Sequence, residues 1–258
     1  MDLLNGRGPV LFVGHGSPMN AIGDNRARTG WRAMGEQLGR PKAIVALSAH
    51  WATRGRCVRT AADNLQINDM YGFPAALYEV HYEPAGDPAV AERVIEALAP
   101  DVKARNDWGI DHGAWSVLCN MYPAADVPVV MLSTDLAAAP AAHFDVGRRL
   151  AALREEGVMI VCSGNVVHNL RMVNWRMRDG FDWAQTFDDA VRERVLAGDY
   201  QPLVDFEELP DARLAIPTTE HYLPLLTALG AATPDDEPTC FNDYCELGSM
   251  SMTSFLFR

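Results

Sequence analysis

The chain is 258 residues long, 48% hydrophobic and 22% charged, with a formal net charge of −12. A chain of this length buries a substantial core as one large α/β domain or two small ones, and its apolar share argues against a disordered or fibrous protein. The acidic balance excludes a general affinity for nucleic acid or anionic lipid, because both require a basic surface.

The first element is the apolar run "PVLFVGHG" (9–16), a predicted strand that stops at a glycine-flanked histidine, His15, with Ser17 and Pro18 shaping the turn beyond it. Helical spacing follows over Asp24–Leu38. The second run, "AIVALSAHW" (43–51), again delivers a histidine, His50. A helix is predicted over Asp87–Leu98. "DHGAWSVL" (111–118) then sets His112 just ahead of a helix over Ala114–Met121, with Asp111 beside it and Gly113 leaving room for a close approach. "PVVMLSTD" (128–135) is the third strand, Pro140–Glu155 the next helix and "VMIVCSGN" (158–165) the fourth strand, with His168 shortly after it. Helices over Asp182–Leu196 and Glu220–Leu229 complete the series, and "CELGSMSMTSFLF" (245–257) has the partial period-two character of a final strand.

Strand runs that are apolar on both faces suit the centre of a sheet covered by helices on each side. The expected class is therefore α/β, a three-layer α/β/α arrangement around a mostly parallel or mixed sheet, in one domain spanning 1–258. The stretches "RMVNWRMRDGFDW" (171–183) and "AATPDDEP" (231–238) read as surface connections inside that domain. The N-terminus lacks the layout of a secretory signal and no apolar stretch reaches the roughly 20 residues that span a bilayer, so the expected location is the cytoplasm. Cys57, Cys119, Cys162, Cys240 and Cys245 are scattered without CxxC spacing and read as reduced, small packing residues.

Chain position makes the histidines informative. His15, His50 and His168 each follow a predicted strand, and ligands of open α/β sheets bind beyond the carboxyl ends of the strands. Three imidazoles separated by 35 and 118 residues can therefore converge there. His221 lies in "PTTEHYLPLL" at the approach to a helix, with Thr218 or Thr219 as a cap; a helix N-terminus favours the neutral ring, which is the form that ligates metal. His112 is a fifth candidate. A single histidine at a strand end commonly caps a turn or bonds a carbonyl, but that account strains when applied five times over. His81 and His143 lack this context and read as surface or packing residues, although His81 adjoins the aromatic segment "GFPAALYEVHY" (72–82). Imidazole ligands suit zinc, iron, copper and nickel, so the residues point to a mononuclear catalytic metal. The chain has no GxSxG elbow, P-loop or strand-following GxGxxG; Ser17 beside His15 leaves a serine nucleophile as a weaker alternative.

Six motifs in order, "LFVGHGSPMNAI", "AIVALSAHW", "WGIDHGAWSVL", "VCSGNVVHNLR", "PTTEHYLPLL" and "GSMSM", resemble the 4,5-DOPA dioxygenase extradiol family. That family belongs to the class III ring-cleaving group that includes protocatechuate 4,5-dioxygenase, and the resemblance runs from about residue 9 to the C-terminus. It implies a single α/β domain, a mononuclear non-haem Fe(II) for which zinc can stand in, and opening of a catechol such as DOPA with O2. It further implies that His15, His50 and His221 ligate the metal and that His168 is either a fourth metal-site histidine or an acid–base residue. His112 matches a residue that contacts substrate or oxygen, which makes His168 and His112 the expected catalytic pair.

One departure concerns the wider group's triad of two histidines and one glutamate. Here Glu220 and His221 are adjacent, and neighbours on a helix point about 100° apart, so His221 is preferred as the ligand. For the substrate, Trp51, Tyr71, Phe73, Trp115 and Tyr222 are either ring-packing or core residues, and Arg171 is either a partner for a substrate carboxylate or a surface residue. The expected partners are a small catechol and O2, with no nucleic acid and no membrane; the oligomeric state is left open. Two rivals stand beside this reading: a zinc-dependent hydrolase, which consumes no O2, and a non-catalytic metal-binding relative that uses its cleft for a partner.

Overall fold

The four apolar runs become adjacent strands at the centre of an eight-stranded sheet in a computed structural model that describes residues 6–258. In chain order the strands are β1 (Val10–Gly14), β2 (Ala43–Thr53), β3 (Arg56–Val58), β4 (Val102–Ala104), β5 (Val129–Asp135), β6 (Val158–Gly164), β7 (Pro238–Phe241), β8 (Cys245–Glu246), β9 (Met250–Ser251) and β10 (Ser254–Phe257). The sheet order is β4-β3-β5-β2-β6-β1-β10-β7, and β8 pairs with β9 apart from it. Strands β5, β2, β6 and β1 run parallel, whereas β3 against β5, β10 against β1 and β7 against β10 are antiparallel. The expected α/β sheet is thus a mixed one.

The helices are α1 (Arg26–Leu38), α2 (Ala75–Tyr78), α3 (Pro88–Leu98), α4 (His112–Met121), α5 (Pro140–Leu150), α6 (Asp182–Ala197), α7 (Gln201–Val204), α8 (Ala212–Ala215) and α9 (Leu223–Ala231). They form layers on both faces, and strand alternation shows why. Val10 and Phe12 of β1, Val45 and Leu47 of β2, and Ile160 and Cys162 of β6 pack into one core with residues of α3, α5, α6 and α9. Their neighbours Leu11, Val13, Ile44, Ala46, Met159 and Val161 pack into the other with α1 and α4. Period-two side chains that are apolar at every position need cover on both sides, and only helices can supply it.

Caps fix where the helices begin. Asn25 accepts a hydrogen bond from the Arg28 amide and starts α1 two residues later than the periodicity predicts. Asp111 caps α4, so His112 is its first residue and lies inside the helix instead of ahead of it. The predicted helix to Glu155 ends at Leu150 and tightens into a 3-10 turn over Ala151–Glu156. The helix expected from Glu220 begins only at Leu223, because Pro224 sits in its first turn and the backbone carbonyl of Thr219, not a threonine side chain, receives the Tyr222 and Leu223 amides. Strands β3, β4 and β7 escape prediction because three or four residues are too few to show a period. The final apolar segment divides into β8, β9 and β10, since Gly248 turns the chain at φ 79°. All five cysteines are free thiols. Among the described residues no helix is long and apolar enough to cross a membrane.

One buried ion pair ties the far end of the sheet together. Arg154 is fully buried and donates at 2.6 Å from two nitrogens to the two carboxylate oxygens of Asp236, and also to the Gly8 and Ala231 carbonyls. These contacts join the entries to β1 and β6 and the exit of α9. Asp236→Ala should cost about 3–5 kcal/mol, because it leaves a guanidinium buried without its anion. A loss below about 1 kcal/mol in denaturant unfolding would show that Arg154 is not held in this way.

Candidate metal centre

Four of the five candidate histidines reach the site from the carboxyl edge of the parallel strands or from the turns just beyond it. His15 follows the last residue of β1, and its amide donates to the Gly164 carbonyl at the end of β6. His50 does not follow a strand, as the sequence suggested. It lies within β2, in a register shift between Ser48 and Ala52 opposite consecutive residues Ser133 and Thr134, and this bulge turns its ring toward the site. His221 is anchored by the Asn165 amide, which donates to its carbonyl. A Cβ on Gly164 would stand 2.1 Å from that same carbonyl oxygen, so only glycine lets the His221 backbone lie this close to β6. His168 is four residues beyond β6, and His112 opens α4 from below. Gly113 beside it makes the space: a methyl there would lie 2.6 Å from Ser48 Oγ and 2.8 Å from His50 Cδ2.

The hydrogen bonds fix which nitrogens are free. Ser163 donates its hydroxyl proton to the Gly113 carbonyl at 2.5 Å, so its oxygen accepts the Nδ1–H of His15 at 2.9 Å. His15 Nε2 is thereby left with a lone pair. His50 Nδ1 lies 3.3 Å from Asp69 Oδ2, and its Nε2 meets His15 Nε2 in a hydrogen bond of 3.1 Å, in which the His15 lone pair is the acceptor. Metal–nitrogen bonds of about 2.1 Å bring adjacent ligand atoms to about this separation, so an ion in place of the shared proton would meet both nitrogens. His221 Nδ1 is 3.3 Å from Glu220 Oε1, which again leaves Nε2 free. Ligand atoms of His15, His50 and His221 all lie within 4.8 Å of one another. The donor set therefore fits a metal ion, with the Nδ1 partners of His15 and His221 fixing ring tautomer and direction.

Asp69 was not legible in the sequence. Its Oδ1 accepts from both the backbone amide and Nδ1 of His112 at 2.9 Å, and its Oδ2 faces His50. An acidic residue in an irregular loop carries no periodic or motif signal; only the aromatic character of the neighbouring segment hinted at a site. Asp111, noted beside His112, accepts from Ser48 Oγ and Trp108 Nε1 and so locks β2 to α4. His168 stacks on His221 with ring centroids 3.5 Å apart, and among the described residues it is the one of the five without a hydrogen-bonded ring nitrogen.

Trp51, Trp115 and Tyr222 are buried in the core and Tyr71 is 92% exposed, leaving Phe73 as the one of the five aromatics that lines the site. Arg171 and His81 are exposed and stand outside the lining. His143 is a packing residue that bonds the Asp135 carbonyl. Glu220 and His221 both lie in the turn before α9, so the helical argument for separating them does not apply; both border the site, and Glu220 accepts from Thr218 as well as from His221.

Burial and mutual repulsion keep four of the histidines, His15, His50, His168 and His221, neutral. His15 and His221 are held well below the usual imidazole range, first by burial and then by neighbouring histidines. Burial, with His112 adding to it, pushes His50 down to about 3, and burial takes His168 to about 4 against the opposing pull of Glu220. Burial alone would raise Asp69, but its hydrogen bonds from His112 more than offset that and lower it. In the unfolded chain the same histidines take up protons near pH 6.5. Between that pH and about 4 the unfolded state therefore binds more protons, and stability falls as pH falls. Burial raises Asp111 and Asp188 to about 6 and raises Glu246 as well, which works the other way over part of the window, but these three carboxyls are outweighed by the four site histidines together with His143, which burial lowers to about 4. Metal-free protein should lose several kcal/mol of stability between pH 7 and pH 5. A flat denaturation midpoint over that range would contradict the neutral cluster.

A family model described as the catalytic LigB subunit of aromatic ring-opening dioxygenase matches residues 10–256. The 4,5-DOPA dioxygenase extradiol of Escherichia coli (strain K12) is 46% identical over 254 residues, which is 96% of this chain and 94% of the relative. The enzyme of the same name from Beta vulgaris is 35% identical over 259 residues and 96% of each chain. The crystal structure of an uncharacterized protein from Escherichia coli K12 matches with a TM-score of 0.86 at 44% identity, covering 98% of this chain and 100% of that one. With its histidines gathered at the carboxyl edge of the sheet and its sequence matched almost end to end, the chain belongs to the LigB family of aromatic ring-opening dioxygenases.

Proposed function

We propose that residues 1–258 form one catalytic domain that opens a catechol ring beside its hydroxyl pair with O2, using a single metal ion held by His15, His50 and His221. The observation that carries this reading is the pair of imidazoles whose Nε2 atoms meet at 3.1 Å on the floor of a cavity, with His221 beside them. Fe(II) is the metal proposed, with zinc able to occupy the same nitrogens. Bound there, Fe(II) would supply the coordination positions and electron transfer that bring a catechol and O2 into reaction.

The chain's own residues manage the protons. A catechol must lose a proton to become a good electron donor, and the acceptor must be neutral beforehand. His168 meets that condition, since burial keeps its ring uncharged and its nitrogens carry no hydrogen bond from the described residues. His112 is built differently. Asp69 holds its Nδ1–H, so Nε2 is the atom that exchanges a proton, and a proton gained there is balanced by the carboxylate across the ring. His168 is therefore assigned as base and His112, with Asp69 behind it, as the group that returns a proton when the oxygen–oxygen bond breaks. The names of the relatives put DOPA among the catechols to be tested.

Protein loaded anaerobically with Fe(II) should take up O2 on addition of a catechol and give yellow ring-opened product; no uptake with any catechol would defeat the reading and favour a hydrolase. Metal content measured beside turnover separates the roles of the histidines. His15→Ala and His50→Ala should lose the metal, whereas His168→Phe should keep it and lose at least a hundredfold in turnover, the scale of general acid–base catalysis. A His168→Phe protein that loses its metal would make His168 a ligand instead.

A further inference from the structure

The cavity above the histidines has a volume of about 410 Å³, and its outer wall comes from two segments. One is the turn after β6, which contributes Leu170 and Trp175; the other is the β8–β9 hairpin, which contributes Leu247 and Met250. Backbone hydrogen bonds fasten the two together: the Asn174 amide donates to the Leu247 carbonyl at 2.8 Å, Leu247 to Met177 at 3.1 Å and Phe181 to Gly248 at 2.7 Å. The wall is thus built and not a loose loop. It is also apolar where water meets it. Trp175 is 77% exposed and Leu170 62% exposed, an arrangement that costs solvation unless something apolar covers them.

The positive charges in the same region stand outside the lining. Arg171, Arg176 and Arg178 belong to the same turn yet are exposed and absent from the lining, which holds neither lysine nor arginine among the described residues. Glu220 is the one acidic side chain on the lining, and the whole chain carries −12. A carboxylate on the ring substituent, set beyond the metal, would have to shed water against leucine, tryptophan, phenylalanine and methionine, where Glu220 is the one carboxylate of the lining and no cationic side chain replaces that water. An alkyl or aryl group would shed water at a gain, about fourfold in affinity per methylene covered.

We propose that the preferred substrate is a catechol whose ring substituent is uncharged and apolar, alkyl or aryl, and lies along Phe73, Leu170 and Trp175. This rests on the catechol reading above and departs from the amino-acid catechol in the relatives' names. The structure offers a substrate ammonium Glu220 but offers its carboxylate no cation.

The test is anaerobic calorimetric titration of the Fe(II)-loaded protein with catechol, 4-butylcatechol and 3,4-dihydroxyphenylpropanoate. The butyl compound should bind at least tenfold more tightly than catechol, and the propanoate no more tightly than catechol. Trp175→Ala and Leu170→Ser should each remove most of the butyl advantage; both side chains are exposed, so folding is not at stake. A propanoate that binds as well as the butyl compound, an unchanged butyl advantage in both variants, or no binding of any catechol would overturn the proposal. O2 uptake is scored separately. The predicted binding order without uptake would uphold this inference and defeat ring cleavage, whereas uptake with the propanoate favoured would do the reverse.

Discussion

His15 Nε2 and His50 Nε2 stand 3.1 Å apart, and the surrounding structure is organised to hold that approach. Burial among other imidazoles keeps both rings uncharged, the state in which a nitrogen can ligate a metal. Ser163 and Asp69 stand at the opposite nitrogens and set the direction of the rings. A cation that displaces the proton shared between the two Nε2 atoms would gain both lone pairs with the rings already in place.

The sheet supplies the rigidity. Four parallel strands end along one edge, and three of them contribute a residue that positions an imidazole: β1 leads into His15, the β2 bulge carries His50, and β6 provides Ser163 and the glycine against which the His221 backbone rests. Asp111 then fastens α4 to β2 through Ser48, so His112 and Gly113 approach from the helical side at a fixed height. The same Asp69 carboxylate touches His50 and His112, coupling a metal-facing ring to a proton-handling one through one residue. The site thus behaves as a single hydrogen-bonded unit, and disturbing one partner shifts several rings at once.

Above this polar floor the walls are apolar, with Met70 and Phe73 on one side and Leu170, Trp175, Leu247 and Met250 on the other. The contrast separates two tasks. The floor fixes the chemistry through lone pairs and protons, while the walls select what the reactive ring carries. Low polarity in the walls also strengthens every electrostatic interaction at the floor.

The four central strands, the six longer helices and the residue types able to hold a metal were legible in the chain alone, because continuous Val/Ile runs and 3.6-residue periods are local properties written along it. His15, His50, His168, His112 and His221 could be singled out for the same reason, each standing at or next to such a period. The rest depended on the folded arrangement. That His50 sits in a bulge depends on how β2 pairs with β5, the start of α9 depends on how the turn before it is bonded, and Asp69 acquires its role only when a loop folds over α4. The segment 171–183, read as a surface connection, becomes a cavity wall because hydrogen bonds to a hairpin some seventy residues later hold it there. Contacts between residues far apart in the chain leave no period in the sequence, so neither the free nitrogen of each ring nor the shape of the cavity could be read before the chain was folded.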